Sequence, residues 1–129
     1  MADARLGAIS PSLVSGDVPR AVAFYRDQLG FELRFAEPAQ LPFFAIVGRD
    51  SAQIFLKSED GIPPQPNRTR HRHLRLDAFV YVEDPDALAG EFASRGVSFA
   101  VPLQDTHDGL RGFELDDADG YRLFFGRPR

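Results

Sequence analysis

Residues 17–31 read DVPRAVAFYRDQLGF, and residues 84–97, DPDALAGEFASRGV, are a degraded echo of them. In the first stretch Asp17 is placed to cap a helix and Pro19 falls in its first turn. Val18, Ala21, Val22, Tyr25 and Leu29 then recur at helical spacing, so an amphipathic helix runs up to Gly30. The second stretch repeats the design. Asp84 caps, Pro85 takes the first helical position, Leu88 and Phe92 lie one turn apart, and Gly96 supplies a left-handed terminator.

Working outward, each helix follows a strand-like run, residues 9–15 and 73–82, and precedes three more. After the first helix come residues 31–35, 43–47 and 52–57, the last two joined by the turn Gly48-Arg49-Asp50-Ser51. After the second come residues 97–101, 112–115 and 121–125, with Ala118-Asp119-Gly120 as the final turn. The order is βαβββ, twice. Residues 58–67, SEDGIPPQPN, hold three prolines that fit neither a central strand nor a helix interior. The expected architecture is therefore α+β, with two tandem βαβββ modules forming a curved mixed sheet around a concave cavity and the helices outside. The whole chain, 1–129, is expected to be a single domain, with modules at 9–57 and 71–126 and a linker at 58–70.

Composition narrows the function. A chain of 129 residues that is 43% hydrophobic and 12% aromatic has the means for one buried core. It has no cysteine, which removes disulfides, thiolate nucleophiles and Cys-ligated zinc. The net charge of -4 speaks against nucleic acid as a partner. The start, MADARLGAIS, lacks a signal-peptide pattern, and no run approaches the roughly 18 apolar residues of a membrane span. A cytoplasmic protein without a membrane partner is expected. Residues 68–75, RTRHRHLR, pack four arginines and two histidines together, and read either as a solvated loop or as an anion-attracting rim. Neither a nucleophile elbow nor a glycine-rich phosphate loop is present, so hydrolase and nucleotide-binding readings lack support.

Two stretches, VSGDVPRAVAFYRDQLGF at residues 14–31 and GFELDDADGYRLFF at residues 112–125, resemble the vicinal oxygen chelate superfamily. That group includes glyoxalase I, extradiol dioxygenases, fosfomycin-resistance enzymes and bleomycin-binding proteins. The resemblance spans about residues 9–125, and the run from Phe31 through Ile54-Phe55-Leu56 is most similar to bleomycin-resistance binding proteins. On that likeness Phe35 and Phe44 fall where such proteins place rings against the planar part of the drug. The enzymes of the superfamily hold a divalent metal through inward-facing His and Glu side chains. Carried onto this chain, those four places are Ser10, Phe55, Asp77 and Phe124. A phenyl ring has no lone pair to donate, so no metal, no cofactor and no catalytic residue is expected. His71 and His73, two apart on an expected strand, form a weak alternative pair, as does His107 beside Asp105 and Asp108.

Alternation along residues 73–82 sends Leu74, Leu76, Ala78, Val80 and Val82 to one face and His73, Arg75, Asp77, Phe79 and Tyr81 to the other. The second face, together with Phe35, Phe44, Phe55, Arg122 and Phe124, is the expected ligand-binding lining. Aromatic boxes of this kind stack flat conjugated molecules. The expected function is metal-independent sequestration of a small aromatic or antibiotic-like molecule by a homodimer. A glyoxalase-type lyase or extradiol dioxygenase with displaced ligands is one alternative, and a structural or regulatory module whose phenylalanines fill the cavity is another. The arginines of the second module make its lining lean basic, pointing to an anionic or neutral ligand.

Overall fold

In a computed structural model describing residues 4–129, the chain forms two four-stranded sheets, each backed by a helix. The first half contains β1 (Ser12–Val14), α1 (Val18–Leu29), β2 (Glu32–Glu37), β3 (Phe44–Arg49) and β4 (Ala52–Lys57). The second contains a short helix α2 (Asn67–Arg70), then β5 (Ala78–Tyr81), α3 (Pro85–Ser94), β6 (Val101–Asp105), β7 (Leu110–Asp116) and β8 (Arg122–Pro128). The sheet orders, β1-β4-β3-β2 and β5-β8-β7-β6, are the same topology written twice, with the first strand of each parallel to the last. The tandem βαβββ expectation is met. The two sheets stay separate and no closed barrel forms.

Both helices begin where the sequence places their caps. The Asp17 carboxylate accepts the Arg20 N–H at 3.1 Å, and Asp84 accepts the Ala87 N–H at 3.0 Å. Gly30 ends α1 at φ 70°, a conformation that only glycine adopts without strain. The buried residues of α1 are Val18, Ala21, Val22, Tyr25 and Leu29, the five that the spacing selects. They pack on Ala45, Val47, Ile54 and Leu56, which alternate along β3 and β4. Each such aliphatic side chain stabilises the fold by about 1.5–3 kcal/mol on burial. In the second sheet Phe92 of α3 meets Phe113 and Phe125 at ring distances of 5.8 and 5.4 Å, and one apolar cluster runs through both halves.

The halves are tied together on their helix sides. Tyr25 of α1 donates to the Asp117 carboxylate at 2.5 Å, and Tyr121 donates to the Val14 carbonyl at 2.7 Å. Arg49 forms a bidentate pair with Glu91 of α3, at 2.7 and 2.8 Å. Among the described residues no helix is long and apolar enough to cross a membrane.

Two strands of the second half start later than expected. The strand expected over residues 73–82 begins only at Ala78, because Asn67 takes the Leu76 carbonyl with its side-chain amide and Leu74 turns back to His71. His73 and Arg75 therefore leave the strand. The linker expected over 58–70 contains a Glu59–Ile62 bridge and α2. The strand expected at residues 97–101 starts at Val101, since the Val97 N–H is drawn back to the Phe92 carbonyl to finish α3.

Candidate functional site

Strand alternation leaves each sheet with a second face that no helix covers, and both such faces are aromatic. On the first, Phe35, Phe44 and Phe55 come one each from β2, β3 and β4. Phe44 stands 6.0 Å from Phe35 and 5.9 Å from Phe55, centroid to centroid. Phe35 remains 47% exposed in a position where a folded chain would ordinarily hide it. A bulge between Leu33 and Phe35 alters the pairing of β2 with β3, so Arg34 joins the same face instead of alternating away.

The second face carries Phe79, Tyr81 and Phe124. Phe79 stacks on Phe124 at 4.7 Å and 29° and meets Tyr81 at 4.6 Å. The floor beneath Phe124 is glycine: a Cβ on Gly112 or Gly126 would come within 2.8 Å of its ring. Phe124 is thereby 4% exposed and Phe79 only half-buried, whereas Tyr81 is 76% exposed. Among the described residues no ring contact joins the two aromatic clusters. Each face is open within one chain.

An open cleft of about 330 Å³ runs beside Phe124, bordered by Arg75, Gln104, His107, Leu110 and Glu114. That is near the lower limit, about 300 Å³, of pockets that hold a small molecule. At its rim the Thr106 hydroxyl donates to Asp108 and holds that carboxyl below its ordinary range. A larger cleft of about 490 Å³ lies between the β3–β4 turn, the end of β5 and α3, with Tyr81 on its border.

The charges around the second face differ from the basic lining expected. Arg75 donates from Nη2 to both Glu114 carboxylate oxygens at 2.9 and 2.7 Å, and Arg122 bonds Asp116 at 2.6 and 3.1 Å. Arg68 shares Asp116, at 3.1 Å. Three guanidinium groups are thus tied to acids 39, 6 and 48 residues away, and the Asp116 bond holds Arg122 above the usual arginine range. The lining is close to neutral. Distant pairing of this kind leaves no local sequence signal, which is why Glu114 and Asp116 escaped the sequence reading.

The places that the resemblance assigns to a metal do not fit one. Phe55 and Phe124 offer only rings. Asp77 sits at the start of β5 with both oxygens occupied, accepting the Asn67 N–H and the Arg122 N–H at 2.8 Å each. Ser10 precedes β1, and it is Ser12 that pairs with Phe55. His71 and His73 lie exposed in the turn before β5 with their rings 5.2 Å apart. Among the described residues no group of three or more His, Cys, Asp or Glu side chains is placed to hold a metal ion. Of the residues expected to line the site, Phe35, Phe44 and Phe55 gather on one face, and Phe79, Tyr81, Phe124, Arg75 and Arg122 on the other. His73 stands apart, and Asp77 serves the backbone.

No curated protein sequence matches this chain. Solved structures do. The bleomycin-binding protein of Streptomyces verticillus, complexed with copper(II)-bleomycin, is 29% identical over the full length of both chains, with a TM-score of 0.70. TioX from Micromonospora sp. ML1 is 22% identical, with a TM-score of 0.72 over 95% of this chain and all of its own. An antibiotic binding protein from Streptomyces sp. CB03234 is 21% identical, with a TM-score of 0.69 over 99% of this chain and all of its own. The last two likenesses speak to fold alone. The sequence pattern of one family runs through both aromatic faces, from residue 5 to residue 125, and by that match the chain belongs to the Glyoxalase/Bleomycin resistance protein/Dioxygenase superfamily.

Proposed function

We propose that this protein binds and sequesters a small, flat aromatic or antibiotic-like molecule without metal chemistry, acting as a cytoplasmic homodimer. The observation that carries the reading is the Phe35–Phe44–Phe55 face, three adjoining rings of which Phe35 is exposed and Phe44 and Phe55 are half-buried. Exposed apolar patches of this kind mark binding sites, and each ring pair adds about 0.5–1.5 kcal/mol beyond area burial. The rings at Phe55 and Phe124, and the satisfied carboxylate of Asp77, favour binding over metal-assisted turnover.

A single chain leaves both faces uncovered, so the proposed site joins the first face of one copy to the Phe79–Tyr81–Phe124 face of a second. Arg75 and Arg122 would border it. The bleomycin complex of the Streptomyces verticillus relative supports a ligand of the antibiotic class.

A thermal-shift panel of metal-free bleomycin and planar polycyclic antibiotics, run with and without EDTA, tests this. At least one compound is expected to raise Tm equally in both conditions, since a ligand at 100 times its Kd adds about 2.7 kcal/mol. Phe44→Ala is expected to weaken that ligand by roughly 10–100-fold while leaving the free protein folded. A stabilisation seen only with added divalent metal would contradict the reading.

A further inference from the structure

Arg34 is held in a way that the other arginines near the site are not. The bulge in β2 turns it onto the aromatic face, where its guanidinium lies across Gly48 of β3. A Cβ at Gly48 would meet Nη1, Cζ and Nε of Arg34 at 2.4, 2.5 and 2.7 Å. Three such similar distances mean that the planar group presents its broad side to the sheet. Any side chain at position 48 would push it off, so the glycine is what lets the guanidinium lie flat.

Two hydrogen bonds fix it there. Nη1 donates to the Gln53 side-chain oxygen at 3.3 Å, and Nη2 donates to the Asp50 carbonyl at 2.9 Å. Both acceptors are neutral. Arg68, Arg75 and Arg122 each pair with a carboxylate, whereas among the described residues none pairs with Arg34. A guanidinium has five N–H donors, so most of its hydrogen-bonding capacity stays available around its edge. Among the described residues it forms no ion pair, its orientation is set in advance, and it shares a face with three aromatic rings.

Register adds a distance. Phe35 pairs with Ile46, and Gly48 lies two residues further along the same face of β3, which is roughly 7 Å at strand rise. A flat ligand resting on Phe44 and Ile46 would bring a substituent on its long axis to the Arg34 edge. We propose that Arg34 determines specificity on this face by taking an anionic oxygen, a carboxylate or phenolate, carried in the plane of the aromatic ligand. Planar bidentate recognition of an acid is what a guanidinium does better than an ammonium. The inference rests on the ring-binding reading above and adds the ligand's charge.

The test compares anthracene-2-carboxylate with its carboxamide, two probes that differ in charge at one end, titrated by fluorescence into wild type, Arg34→Gln and Gly48→Ala. Wild type is expected to bind the carboxylate about tenfold more tightly or better, as a charge-assisted bond implies. In Arg34→Gln that preference disappears while carboxamide affinity stays within about threefold of wild type. Gly48→Ala, which leaves the arginine present but displaced, loses the preference too. Equal binding of both probes by wild type, or a preference surviving in Arg34→Gln, would overturn the role of Arg34 and leave the aromatic site standing. Binding of neither probe by wild type would overturn this inference, and the ring-binding reading falls with it if no compound of the antibiotic panel binds either.

Discussion

Phe124 illustrates how single residues shape this site. It occupies a position where metal-using relatives by resemblance carry a glutamate, and its ring has room because Gly126, two residues along the same strand, and Gly112, the partner of Gly126, have no side chains. A methyl group at Gly112 would sit 2.3 Å from the Phe125 carbonyl oxygen and 2.7 Å from the Phe124 ring. Backbone cannot step aside as a side chain can. Gly112→Ala is therefore expected to lower stability by about 1–3 kcal/mol, read as a shift in the urea midpoint at unchanged m-value.

Asp117 supplies a second residue-scale prediction. Burial pushes its carboxyl up to about 6, against the Tyr25 hydroxyl and the N–H groups of Tyr121 and Asp119, which pull it down. A carboxyl raised in the folded state favours folding most when protonated, and that contribution is lost as pH rises from about 4 through about 6. The stability difference between wild type and Asp117→Asn is expected to fall across that window by on the order of 2–3 kcal/mol and then level off. A difference independent of pH would contradict the assignment. Tyr25→Phe removes a donor to the charged form and is expected to move the transition to higher pH.

At the scale of elements, the helices were the most legible parts of the chain. Their caps are local: Asp17 reaches an N–H three residues on, and Asp17→Ala is expected to lower stability by about 1 kcal/mol in thermal or chemical unfolding. The strand cores were legible for the same reason, since alternation in Ala45, Val47, Ile54 and Leu56 states which side is buried. What the sequence hid depends on distant partners. The late start of β5 follows from the Asn67 and Arg122 N–H groups that Asp77 gathers from 10 and 45 residues away. The bulge that turns Arg34 toward Phe35 has no local mark beyond the glycine at 48, whose purpose shows only once β2 lies beside β3.

For the whole molecule, the repeat foretold two similar modules but not where their open faces would lie. The contacts between the halves run through Tyr25, Asp117, Arg49 and Glu91, on the helix sides, and the aromatic faces remain free. If a second copy completes each site, damage to opposite faces should complement. Phe44→Ala and Phe79→Ala homodimers are each expected to bind weakly. A mixed dimer pairs the intact first face of one copy with the intact second face of the other, and is expected to regain half the sites at wild-type affinity. Mixing that restores nothing would place the whole site within one chain.

The central claim, ligand binding on an aromatic face without metal, is tested most directly by calorimetric titration of metal-free bleomycin and anthracene-2-carboxylate into the protein in EDTA. The account predicts saturable binding of at least one of them, weakened roughly 10–100-fold by Phe44→Ala and unchanged when EDTA is replaced by zinc or manganese. Binding that appears only with the metal, or that ignores the loss of Phe44, would contradict it.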